Sequence, residues 1–145
     1  MNASTRLDSA ALLARLALGG VLLAHGLLKF LVFTLPGTAG FFASVGFPGW
    51  TAYVVAPLEV VAGLAMILGL RSSVFALLTL PVQIGAGIVH LPNGWLFSNA
   101  NGGWEFSAVL VVLTLVVYLL GDGAFSARRA TGTASPDSTP HPASA

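Results

Sequence analysis

The chain has 145 residues, 56% of them hydrophobic and 8% charged, with six Lys and Arg against five Asp and Glu. A water-soluble domain of this length carries roughly 36 charged residues, so an ordinary solvated surface is excluded and the solvent is mostly lipid. The net charge of +1, with no Lys/Arg run, gives no footing to a nucleic-acid partner, and the lack of cysteine excludes disulfides, thiolate metal sites and thiol–disulfide exchange.

Four apolar segments follow one another at about 10–33, 51–70, 73–91 and 104–121. Each is about 27–36 Å long as a helix, enough to cross the hydrocarbon core, and lipid leaves helices as the consistent way to satisfy the backbone. The expected fold is all-α, an integral membrane four-helix bundle over residues 1–126, followed by a disordered tail over 127–145 that is rich in Pro, Ser, Thr and Ala. The first segment reads as a retained anchor, because a cleaved signal would not carry His25 and Lys29. Gly37 to Val45 fits a short interfacial helix, Arg71 and Ser72 a tight turn, and Pro92 to Gly103 a long loop.

Arg6, Arg15, Arg71, Arg128 and Arg129 occupy the N-terminus, the middle turn and the C-terminus, while neither longer loop holds a Lys or Arg. The positive-inside rule then places both termini in the cytoplasm of a bacterial inner membrane, with the longer loops and Trp50, Trp95 and Trp104 on the outer side. Counted from the outer ends, His25, Glu59 and Gln83 lie roughly 12 Å deep and Lys29, His90 and Glu105 within about 8 Å. His25 and Lys29 are about 40° apart around their helix, Gln83, Gly87 and His90 fall within about 60°, and Glu59 shares a face with Gly63 and Met66. Intramembrane charges face a bundle interior or a wet cavity, so all four helices are expected to build one polar site.

Each of these residues also has a structural reading. Glu59 is a proton acceptor or donor beside a ligand, or half of an ion pair locking two helices. Lys29 stabilises an anionic ligand, or snorkels to the headgroups. His25 donates to a ligand oxygen and relays a proton. Gln83 serves as polar glue or orients a ligand, and His90 caps its helix or contacts the outer loop. Glu105 favours the positive end of its helix dipole, or admits protons from outside. A bis-histidine haem between His25 and His90 is disfavoured by a depth difference on the order of 10 Å, and no metal site can be assembled. Ala52 and Ala56 offer a small-residue face for a homo-oligomer contact.

The runs His25-Gly26-Leu27-Leu28-Lys29, Pro57-Leu58-Glu59 with Gly63, Gly69 and Arg71, Gly103-Trp104-Glu105 and Gly121-Asp122-Gly123 appear here in sequence. In order and spacing the chain resembles the DoxX family of small bacterial membrane proteins from Arg15 to Arg129. The resemblance implies a four-helix inner-membrane protein often labelled an oxidoreductase, since some relatives look like subunits of quinone-linked complexes and others like assembly factors. Asp122 stands where that closing motif more often has a small residue or proline, and Ala124 to Arg129 lacks the usual acidic ending.

The combined expectation is a quinone-like ligand in the outer half, with Glu59, His25 and Lys29 catalytic and Gln83, His90 and Glu105 binding. No motif identifies a cofactor. The chain has no electron carrier of its own, so electrons would come from a redox partner subunit. The rival from another class is a structural or assembly protein whose polar cluster only staples the helices. A proton-linked carrier ranks last, because the inner half shows no polar path.

Overall fold

A computed structural model describes residues 2–127, and all regular structure among them is helical. The tail expected at 127–145, with Arg128, Arg129 and His141, falls outside these residues save for Ala127. Helix α1 spans Ala3–Leu31; it starts well before the apolar segment because the Asn2 side chain accepts from Thr5 N at 2.9 Å and caps the first turn. Helix α2, Leu35–Ser44, falls where the short helix is expected, and a 3₁₀ turn at Gly49–Thr51 leads into α3, Ala52–Leu68. Helix α4 is Ser72–His90, and after the loop comes α5, Glu105–Leu120.

Three stretches are long and apolar enough to cross a membrane: Ala3–Leu31, Gly49–Leu68 and Ser72–Asn93. The fourth expected segment folds as a helix of 16 residues, about 24 Å, shorter than the typical span of about 20 residues. Helix α1 packs on α3 and α4 on α5, and the two pairs meet through α1 with α5 and α3 with α4. Leu18, Leu22, Met66, Ala76 and Val117 form the core where they meet.

The α1–α3 seam is close because it is lined with small residues. A Cβ on Gly63 would lie 2.7 Å from Leu23 N and 2.8 Å from Gly19 O, and one on Gly26 2.9 Å from Val60 N. Only glycine lets the backbones approach to that distance, and with little hydrophobic drive between helices in lipid, such contact is what joins them. Ala52 and Ala56 are fully buried in the chain's own packing, which corrects the expectation that they face another copy.

Arg15 also departs from expectation. In place of a solvated orientation charge, it is completely buried where the α1 and α3 turns meet. Its Nη1 donates to Met66 O at 2.9 Å and Ile67 O at 3.4 Å, and its Nη2 to Phe125 O at 2.7 Å. A cation that binds the last carbonyls of α3 adds to the Gly69 amide on Met66 O, answers the orphan Ile67 O and meets the negative end of the dipole. Gly69 makes room for it: φ is +71°, and a Cβ there would meet Arg15 Nη1 at 2.5 Å. Asp122 accepts from Arg71 N at 3.2 Å and Ser72 N at 2.7 Å, capping α4 from the far end of the sequence, and Asp8 accepts from Ala124 N at 2.7 Å. The stretch after α5 is thereby tied to α1, α3 and α4 at this turn end of the molecule.

Candidate functional site

The opposite, loop end holds a cavity of about 650 Å³ lined by His25, His90, Trp95, Phe97, Glu105, Phe106 and Val109. Small-molecule pockets run about 300–1,000 Å³, mostly apolar with a few convergent polar groups, and this one has that character. Helix α1 supplies His25, α4 supplies His90, α5 supplies the wall from Glu105 to Val109, and the connecting loop supplies the two remaining aromatics.

The loop is tied down as a roof. His90 Nδ1 lies 3.1 Å from Asn101 O and 3.2 Å from Gly102 O, while Asn93 Nδ2 donates to Asn101 O and Asn99 Nδ2 to Asn93 O. Trp104 N and Glu105 N donate to Gly94 O and Trp95 O, both at 3.1 Å, so the loop closes on the start of α5. Trp95 packs edge-on against Trp104 at 4.4 Å between centroids. Phe106 is the centre of the aromatic wall, stacked on His25 at 6.1 Å with 26° between planes and 6.0 Å from Phe97.

The expected site residues divide into three groups. His25, His90 and Glu105 share the cavity, although their expected depths put them in two layers. Lys29 and Glu59 pair with one another instead, Nζ to Oε2 at 2.7 Å, in the α1–α3 seam, where the carboxylate is nearly buried and Lys29 also reaches His25 O at 3.4 Å. Gln83 stands apart, accepting from Thr114 Oγ1 at 2.5 Å and donating to Thr79 Oγ1 at 3.5 Å between α4 and α5. Its neighbours on that face do the same work: Gly87 lies against Ser107, and His90 holds the loop. The ring of His25 turns aside from Lys29 because its Nδ1 sits 2.8 Å from Val21 O, one turn back along α1.

Phe97, Phe106 and Val109 were not foreseen as wall residues. Phe106 follows Glu105 directly, but a phenylalanine beside a first-turn carboxylate looks the same whether it meets lipid or a ligand. Among the described residues no cluster of three or more His, Asp and Glu side chains is placed to hold a metal ion.

Conversion of Glu59 to Gln is expected to lower stability by about 1–2 kcal/mol, because it leaves the Lys29 ammonium facing a neutral amide. Lys29 stays 15% exposed and its stem can carry the charge toward the headgroups, which keeps the loss below that of a fully buried pair. Unfolding of the detergent-solubilised protein against denaturant measures it, and an unchanged midpoint would show that the pair does not hold α1 to α3.

The DoxX family model matches residues 10–92. "Putative oxidoreductase CatD" from Bacillus subtilis (strain 168) is 32% identical over 121 residues, which cover 83% of this chain and 84% of that protein. No solved structure matches.

Proposed function

The chain belongs to the DoxX family, and from that premise we propose that it is a four-span subunit of a quinone-linked oxidoreductase system, with a site for a quinone-like small molecule in the loop-end cavity. α5 is the fourth span, shallow because its ends are carried by the tied loop and the Asp122 cap. Both termini lie in the cytoplasm of a bacterial inner membrane, a topology supported by Arg6 and Arg71 at the turn end and Trp50, Trp95 and Trp104 at the other.

The observation that carries the reading is the cavity itself: an aromatic wall centred on Phe106, with two imidazoles and a carboxylate on its rim. A planar ring fits such a wall by stacking, and the rim groups supply the contacts that orient it. His25 is the ligand contact, with Glu105 and His90 beside it. Lys29 and Glu59 stand behind His25 as a charged pair that exchanges protons with the site. Electrons come from a partner subunit, since the chain brings no carrier.

The reading is tested by filling the cavity. A tailed benzoquinone bearing a photoreactive group is expected to label the segment from Trp95 to Val109, and Val109→Trp to reduce labelling about tenfold with the helical content intact. Labelling away from that segment and from His25 and His90, or labelling indifferent to the added indole, would dismiss the site.

A second reading, a structural or assembly protein, is favoured by one observation: Lys29, Glu59 and Gln83 all bind groups on neighbouring helices. On that reading Glu59→Gln changes stability and leaves quinone-dependent turnover of the assembled complex untouched, whereas the leading reading requires turnover to fall as well.

A further inference from the structure

Each imidazole on the cavity wall has one nitrogen fixed by geometry. His25 Nδ1 faces the Val21 carbonyl at 2.8 Å, and His90 Nδ1 faces the carbonyls of Asn101 and Gly102 at 3.1 and 3.2 Å. A carbonyl oxygen only accepts, so in both rings the hydrogen sits on Nδ1. The neutral form of each ring then presents Nε2 as a bare lone pair, and no described residue donates to either one. The carboxylate oxygens of Glu105 add acceptors, while Phe97, Phe106 and Val109 add no polar side-chain atom. Trp95 contributes an indole N–H, the one side-chain donor on the wall without a backbone partner among the described residues.

The wall therefore has a surplus of acceptors. A phenolic hydroxyl can give its proton to an imidazole Nε2 and still accept from the indole, whereas a quinone carbonyl can only accept and leaves the lone pairs unanswered. Resting on the reading of this cavity as a site for a quinone-like ring, we infer that it binds the dihydroxybenzene member of that class in preference to the dicarbonyl member. One to two hydrogen bonds separate the two forms, which corresponds to a preference of about tenfold. His25 is the better placed of the two rings for this purpose, because it also stacks on Phe106, the centre of the aromatic wall, while His90 holds the roof.

The test is calorimetric titration of the full chain in lipid nanodiscs with three probes sharing one decyl tail: a 1,4-hydroquinone, the matching benzoquinone and the matching 1,4-dimethoxybenzene. The hydroquinone is expected to bind about tenfold more tightly than either of the others. His25→Phe, which keeps a stacked ring but removes Nε2, is expected to bring the hydroquinone within about threefold of the ether and to leave the ether unchanged. If that variant does not fold, the three probes on the unmodified protein still decide. Equal or tighter binding of the quinone would overturn the inference while leaving the site in place. Failure of all three to bind would overturn the site and the preference together.

Discussion

Substitution of Gly63 by leucine is expected to prevent α1 and α3 from closing and to cost about 3 kcal/mol or more, the upper range for overpacking, because the atoms in the way are backbone. The new Cβ would meet Leu23 N and Gly19 O within 2.8 Å, and neither can rotate aside as a side-chain tip can. The helices would have to separate along the seam that also holds the Lys29–Glu59 pair, so the ion pair and the packing would be lost together. Gly20→Leu is the control, since nothing lies within 4 Å of a Cβ there and the added side chain projects away from the chain. Thermal unfolding in detergent and the elution profile report both variants. A Gly63→Leu protein that melts with the parent would show that α1 and α3 do not meet as described.

The second large effect is expected at Arg15. Arg15→Met fills much of the same volume but removes the donors to Met66, Ile67 and Phe125; Met66 O keeps the Gly69 amide at 3.1 Å, while Ile67 O and Phe125 O are left with no partner among the described residues. A loss of about 3 kcal/mol follows from one to two buried acceptors losing charged donors. Arg15→Lys recovers only part of it, because one ammonium on a flexible stem cannot span carbonyls from α3 and from beyond α5 as a planar guanidinium does. Arg71→Met, at an exposed side chain, is expected to stay within about 0.5 kcal/mol of the parent. Equal midpoints for the Arg15 and Arg71 variants would return Arg15 to the role of a surface charge.

Arg15 also shows where the sequence was hard to read. An arginine between one and two turns into the first apolar segment has the signature of an orientation charge, and nothing local separates that case from a buried cap whose acceptors lie 51 and 110 residues away. Asp122 is similar: as a departure from a family pattern it carries no sign of the two amides that it caps at the start of α4. Helical periodicity did better, because it depends only on neighbours in the chain. The shared face of Gln83, Gly87 and His90 does meet α5 and its preceding loop, and Glu59, Gly63 and Met66 do turn inward together. Depth counting grouped the site residues less well, since rings and long stems leave the backbone in different directions. Lys29 reaches across to Glu59 while the ring of His25, one turn away, turns to Phe106.

The tie between Arg15 and Phe125 has a consequence for biosynthesis. The two residues are 110 positions apart, so at about 5–20 residues per second the arginine emerges from the ribosome roughly 5–20 s before the carbonyl it will hold exists. During that interval Nη2 of Arg15 lacks its final acceptor. Nη1 can take the Met66 and Ile67 carbonyls as soon as α3 packs on α1, but Nη2 finds its acceptor only when the stretch after α5 folds back, so this corner of the molecule is completed last.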